Sequence, residues 1–389
     1  MKKTILIIII LIITSFLFYL IYDKHKEKII YYSFKDTEIN YINYKNINII
    51  LNINDSYKLN NNKLVEVLSN KKIIKIKNNT IYAKNIGTAE IKIKTNKTYK
   101  RIFIKVIPKE KLIKIKNNFT LVFKEINNNS LSLQNFDFDK NNIYISFVKK
   151  SNIKTDYKNC LYNEKILNEI NKVIIKKYKN NKYKGMLTLN NSGHGQSFVV
   201  LDNFVYTTGD SYGYLDNKNR CWGKGKELIK VRWKKDVINA SDASFKFKFY
   251  NKEGTLYNNP EISIDKKNNL VALNVKEDVL VWKLNDFKKG KLNNMLYKFK
   301  LKNNIKTLLN EEKIYKQGSS IYGGYYYQMY GLKNGNFYIL VYNMNGEVVK
   351  SIKYYLEGKN LEAEGIKIYD GNIFIGATKK DKSYIYKIS

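Results

Sequence analysis

Proline is nearly missing from this chain of 389 residues: it occurs twice, at Pro108 and Pro260, and no Gly/Ser-rich stretch stands near either. Linkers of the stiff or flexible low-complexity kind are thereby excluded. Domain boundaries must be read from pattern, with Pro108 as one mark. Cysteine also occurs twice, at Cys160 and Cys221, so no cysteine lies near the N-terminus to carry a lipid anchor. In an exported protein the two could pair, but sequence does not place them together, and two unpaired core thiols are an equal alternative. A thiol nucleophile is disfavoured, because His194 is the one candidate base downstream of the first 28 residues. No metal cluster, nucleotide fingerprint or nucleophile elbow is found, so no cofactor, no metal and no catalytic residue is expected. Acidic residues are scarce, 34 against 70 Lys and Arg, giving a formal net charge of +36. That balance favours polyanionic partners. The excess is nearly all Lys in a chain also rich in Asn, Ile and Tyr, which an AT-rich codon pool produces without selection for a ligand. The basic residues interleave with strand positions instead of forming one stripe, which argues against a nucleic-acid partner.

What the chain does have begins at its N-terminus. Lys2 and Lys3 precede an uncharged apolar run from Ile5 to Tyr22, followed by Asp23, Lys24, His25, Lys26, Glu27 and Lys28. As a helix counted from Thr4 it would reach about 28 Å, enough to span a bilayer's hydrocarbon core. Phe18, Tyr19, Leu20, Ile21 and Tyr22 fill the place where a signal peptide ends in small residues. Residues 1–22 are therefore expected to be an uncleaved transmembrane anchor, with the remainder on the extracytoplasmic face of the cell membrane; cleavage would instead make the protein secreted. Residues 23–44 show no clear period and are expected to form a juxtamembrane spacer.

Alternating runs follow, as in Ile73-Ile74-Lys75-Ile76-Lys77, Ala89-Glu90-Ile91-Lys92-Ile93-Lys94 and Ile102-Phe103-Ile104-Lys105-Val106. Period two with Lys outward predicts half-buried strands. Ser69-Asn70, a hairpin near Asn78-Asn79 and Gly87-Thr88-Ala89 occur in the order that resembles the group 2 bacterial Ig-like domain, with Val67 or Leu68 where that family usually has Trp. The resemblance implies a small β-sandwich over residues 45–108, serving as spacer or stalk.

From residue 109 onward a strand, a turn rich in Asp, Asn and Gly, and a second strand recur together. Five copies align, with second strands opening at Ile143, Phe204, Leu270, Phe337 and Ile373. One hairpin cannot bury its own apolar face, but copies arranged round an axis can. The expected fold is all-β: an N-terminal transmembrane helix, a small Ig-like β-sandwich and, over 109–389, a five-bladed β-propeller closed by a strand near Phe119 to Phe123. A helical insertion is predicted where Leu167, Ile170, Val173, Ile174 and Tyr178 recur at helical spacing.

A polar residue precedes each predicted inner strand: Gln134, Gln196, Glu261, Gln328 and Glu364. Inner strands start near a propeller's central channel, so these groups would ring it, either to bind a ligand or to hold neighbouring blades together across a water-filled pore. His194 joins them between Gly193 and Gly195. The segments carrying His194 and Gln196, Glu261 and Asp265, Gln328 with Tyr330 and Leu332, and Glu362 with Glu364 resemble the helveticin J family of large heat-labile bacteriocins. The resemblance implies a five-bladed propeller at the cell surface and a bacteriocin-like role, from which the anchor and the Ig-like module depart.

His194, Gln196, Glu261, Gln328, Tyr330 and Glu364 are thus the candidate ligand-binding residues. Aromatics add a second signal, dense at Tyr322-Gly323-Gly324-Tyr325-Tyr326-Tyr327, where exposed rings would offer a sugar an apolar face; a structural role for them is the alternative. Arg220 to Lys226 reads as a Gly-rich basic turn, with wall-polymer phosphate as a lesser ligand. The leading expectation is a non-catalytic surface protein that binds cell-wall glycan or a teichoic-acid-like polymer. The rival is a carbohydrate-active hydrolase using funnel carboxylates from among Glu261, Asp265, Glu362 and Glu364.

Overall fold

The computed structural model describes residues 30–34, 37–41, 47–59, 63–94, 99–109, 111–114, 118–126, 131–149, 153–216, 219–243, 245–250, 259–302, 309, 314–332, 335–356, 361–379 and 382–388. The apolar run Ile5 to Tyr22 lies outside them. Among the described residues no helix is long and apolar enough to cross a membrane.

Residues 47–107 form a small sandwich of two sheets. One orders Ile47–Asn52, Tyr99–Ile107, Gly87–Lys94 and Lys63–Ser69; the other orders Ser56–Lys58, Thr80–Ala83 and Ile74–Lys77. The alternation read from sequence is what builds it. Along Gly87–Lys94, Ala89, Ile91 and Ile93 are buried while Thr88, Glu90 and Lys92 sit nearer solvent. Those residues meet Leu51, Ile74, Ile81, Ile104 and Val106 in one core drawn from both sheets.

Five sheets follow, antiparallel except where the short strand Val237–Asn239 pairs parallel with Lys182–Asn190 at the edge of the first. The first runs outward through Leu131–Asp139, Asn142–Lys149, Val173–Lys179 and Lys182–Asn190. The second does so through Phe198–Leu201, Phe204–Leu215, Cys221–Arg232 and Phe245–Tyr250. The third comprises Glu261–Asp265, Leu270–Val275, Asp278–Lys283 and Met295–Lys300, and the fourth Tyr315–Tyr322, Tyr325–Gly331, Asn336–Asn343 and Val348–Tyr355. The fifth takes Glu362–Tyr369, Asn372–Lys379 and Lys382–Ile388, and is completed by Phe119–Ile126 from the start of the domain. Each first strand touches the first strands of the sheets before and after it, and the fifth returns to the first. This is a closed ring of five blades, a β-propeller fastened by its own N-terminal strand. Apolar clusters fill the spaces between blades, with Trp282, Leu273 and Leu228 between the second and third, and Ile339, Ile366 and Ile375 between the fourth and fifth.

Several local expectations are corrected. Residues 30–41, read as spacer, carry two strands, Ile30–Phe34 and Thr37–Tyr41, that extend the outer edge of the second blade. The helical insertion is real at Tyr157–Tyr162 and Glu164–Ile170, capped by Asp156 and Asn163. Val173, Ile174 and Tyr178 are not in it; they belong to a strand in which Val173 and Ile175 point inward. Three β-branched residues in succession favour the pleated form, and a spacing of four or five residues does not by itself exclude it. Arg220 to Lys226 is no turn, because Cys221–Arg232 is one long strand.

The fourth repeat copy lies one hairpin earlier than the sequence repeat implies. Tyr325–Gly331 and Asn336–Asn343 are the second and third strands of that blade, and its inner hairpin turns at Gly323 and Gly324, both at positive φ. Second strands open at Asn142, Phe204, Leu270, Tyr325 and Asn372, giving intervals of 62, 66, 55 and 47 residues. Of the tyrosines read as a platform, Tyr326 and Tyr327 are fully buried in blade contacts and Tyr322 and Tyr325 are half-buried.

Cys160 and Cys221 are joined as a disulfide with Cα atoms 5.5 Å apart. It pins the first short helix to the projecting half of the second blade's long hairpin, where Gly213 packs against the Cys160 carbonyl. At the seam between sandwich and propeller, the Lys105 ammonium is buried against the Met344 carbonyl and the rings of Tyr297 and Phe299, at 4.5 and 5.4 Å.

Candidate functional site

Where the inner strands begin, polar side chains from neighbouring blades converge on the axis. Gln134, Gln317 and Glu364 each sit at a register shift on the first strand of their blade, between Leu133 and Asn135, Lys316 and Gly318, and Ala363 and Ile366. A bulge leaves one residue out of the ladder and re-aims its side chain, which turns these three out of the pleat. Gln196 precedes the second blade's inner strand, and Glu261 opens the third's. Gly318 and Gly365 follow the bulged residues at positive φ, and a Cβ on either would meet the next blade's backbone about 3.1 Å away. Glycine lets the inner strands close up there.

The contacts around this mouth are specific. Gln196 Nε2 donates to Gln317 Oε1 at 3.5 Å, the outer limit for such a bond, while Asn135 Nδ2 donates to the Gln196 carbonyl. Ser146 Oγ donates to the carbonyls of Asn135 and Gly195 at 3.1 and 2.9 Å. Glu261 is neutralised by Lys316 at 3.1 Å, and Lys316 also donates to Asn274. Gln134 is buried with its Nε2 on the Leu133 carbonyl and, among the described residues, no partner for its Oε1. Glu364 is buried too. Among the described residues its Oε2 has no partner, and burial together with the nearby Glu362 carboxylate pushes its carboxyl well above the usual range.

His194 lies beside the mouth, half-buried, with its ring edge-on to Trp222 at 5.3 Å. Desolvation, then the Lys224 ammonium, hold its pKa down at about 4, so the imidazole is neutral. Gly193 takes φ +87 because its Cα packs on the Lys224–Gly225 peptide, 2.5 Å from where a Cβ would stand.

Of the sequence candidates, Gln196, Glu261 and Glu364 come together at this mouth with His194 at its side. Gln328 does not. It is fully buried on the fourth blade's second strand, donating to the Gly318 carbonyl at 2.6 Å and accepting from the Tyr326 hydroxyl at 3.4 Å. Tyr330 sits behind Lys316, its hydroxyl bonded to Tyr342, and is reachable only at its edge. Gln317 takes the place assigned to Gln328. Its signal was present: Gln317-Gly-Ser-Ser-Ile-Tyr322-Gly-Gly aligns with Glu364-Gly-Ile-Lys-Ile-Tyr369-Asp-Gly. Asp265 is spent in its turn, accepting from the Asn268 amide and side chain and from Gly323 N–H. Among the described residues no group of three or more His, Cys, Asp or Glu could hold a metal ion.

The fold and this mouth define a five-bladed β-propeller with a polar axial channel. No family model matches the chain, so neither the helveticin J nor the Ig-like resemblance gains support from one. No curated protein matches it either. Among solved structures it is similar to the WD40 propeller domain of Doa1, at 9% identity over 69% of this chain and 97% of that one, with a TM-score of 0.33. It is also similar to BamB from Moraxella catarrhalis, at 8% identity, 80% and 81% coverage and a TM-score of 0.27. A third is a glycosyl hydrolase from Bacteroides ovatus, at 9% identity, 72% and 94% coverage and a TM-score of 0.39.

Proposed function

We propose that this chain is a membrane-anchored, extracytoplasmic binding protein whose propeller takes a cell-wall glycan or teichoic-acid-like polymer at the mouth formed by Gln196, Glu261, Gln317 and Glu364. The observation that carries the reading is the convergence there of amides and carboxyls from adjoining blades, with the Gln196 and Gln317 side chains held, among the described residues, by one long mutual bond. Such groups exchange readily for a ligand's hydroxyls. The disulfide between two buried cysteines supports an oxidising compartment, and the run Ile5 to Tyr22 supports the anchor. The carboxylates favour binding over hydrolysis: Glu261 is paired with Lys316, Asp265 is consumed by its turn, and Glu364 is buried.

The test is retention of the full chain on purified wall polysaccharide and on teichoic acid. Gln196→Ala with Gln317→Ala is expected to weaken binding by about 1 to 3 kcal/mol if buried polar partners are left unpaired, with an unchanged melting transition. Binding that survives this double change but vanishes in high salt would transfer the role to the lysine excess. Release of reducing ends would replace the binding reading with the hydrolase.

A further inference from the structure

At the opposite end of the channel, where the inner strands finish, the structure has a cavity of about 560 Å³. Every inner strand contributes to its wall, through Asp137, Val199, Ile264, Ser320 and Lys367 in turn. We propose that this cavity is a second binding site, for a sugar residue carrying a carboxylate or a phosphate. It does not rest on the mouth at the strand starts.

The charges in the wall are unequally engaged. Asp137 accepts from Val200 N–H at 2.6 Å and Phe138 N–H at 2.8 Å, and Asp265 accepts two bonds from Asn268 in its turn and one from Gly323 N–H in the next blade. Of the three carboxylates in the wall these two are committed to their bonds, while Asp370 is exposed at the rim and Lys266 is paired with Asp139 at 3.2 Å. Lys367 is 5% exposed, and the Phe198 carbonyl, at 2.7 Å, is the one acceptor found for its three N–H groups among the described residues. Lys111 and Lys267 are exposed at the rim, with Lys111 N–H strapped to the Gly323 carbonyl at 2.8 Å. Inside the cavity Lys367, which faces Asp137, therefore keeps donor capacity that the two buried acids lack as acceptors, which selects an anionic substituent and strengthens its hydrogen bonds in a partly desolvated wall.

The remainder of the cavity suits a ring. Tyr322 and Tyr369 line it half-buried. Tyr369 is held rigid, with its ring 5.1 Å from Phe138 and its hydroxyl donating to the Lys140 carbonyl at 3.1 Å. A fixed aromatic face beside charged and hydroxyl groups is the combination a pyranose requires. The volume falls in the range of small-molecule sites and accommodates one sugar residue or a chain end.

Titration calorimetry on the full chain decides it, with glucuronic acid and glucose 6-phosphate as probes against glucose and inorganic phosphate. At least one charged sugar should bind ten-fold or more tightly than both glucose and phosphate, and which one does names the anionic group. Lys367→Met should weaken that binding at least ten-fold, as should Lys111→Ala with Lys267→Ala at the surface, which decides the matter should the buried change fail to fold. Gln196→Ala, at the other mouth, should leave it unchanged. The proposal is overturned if neither charged sugar binds, if glucose or phosphate alone binds as well, or if the lysine changes are silent while Gln196→Ala abolishes binding.

Discussion

Lys105 is a cation buried where the sandwich meets the propeller, 2% exposed and held by the Met344 carbonyl and two aromatic rings. Desolvation, with a smaller push from Lys302, lowers its pKa from 10.5 to about 7. Below pH 7 both folded and unfolded chains carry the proton, and the folded state bears the full cost of burying the charge. Between pH 7 and 10.5 the unfolded chain keeps a proton that the folded chain has lost, so stability rises with pH. The slope is about 1.4 kcal/mol per pH unit, and the whole window is worth at most about 5 kcal/mol by the same conversion. Lys105→Met keeps the length of the side chain and removes the titration. Urea unfolding of parent and variant at pH 6.5, 7.5, 8.5 and 9.5 isolates this residue in the difference, because the other lysines and the tyrosines are common to both. The variant should be the more stable at pH 6.5, as buried charges replaced by apolar groups often are. Its advantage should shrink by roughly 3 kcal/mol by pH 9.5, following that slope. A difference that stays constant across the series would refute the reasoning.

Replacing Cys160 and Cys221 together by Ala should lower stability by about 4 kcal/mol, the loop-entropy value for some sixty enclosed residues, as read from urea midpoints; a loss under 1 kcal/mol would mean that the short helices hold the long hairpin unaided. The chain has two histidines, so His194 can be followed by NMR, and its imidazole should titrate near pH 4; a midpoint near 6.5 would place it in open water. Glu364 binds its proton more tightly folded than unfolded, so its contribution to stability falls as pH rises past the ordinary carboxyl range. Glu364→Gln should accordingly raise the melting temperature at pH 7 and leave it nearly unchanged at pH 4, and equal effects at both would contradict a buried carboxyl whose pKa is raised.

The sequence by itself determined what depends on neighbours along the chain. Period-two runs such as Ala89 to Lys94 specify strands with one buried face, and five strand–turn–strand units in a chain with almost no proline require an all-β ring. Gln196, Glu261 and Glu364 were legible because each lies at or near the start of an inner strand. What only the tertiary structure decided is pairing. Hairpins within one blade look alike locally, so Gln328 passed for an axial residue until the register put Gln317 on the inner strand and Gln328 behind it. The union of Cys160 with Cys221, the burial of Lys105 under Met344 and Tyr297, and the meeting of Asp137 with Lys367 at the far mouth join residues 61 to 239 positions apart. No local period encodes such contacts, because they arise from packing blade against blade around the axis, where burial sets both the partners and the charge states of the groups enclosed.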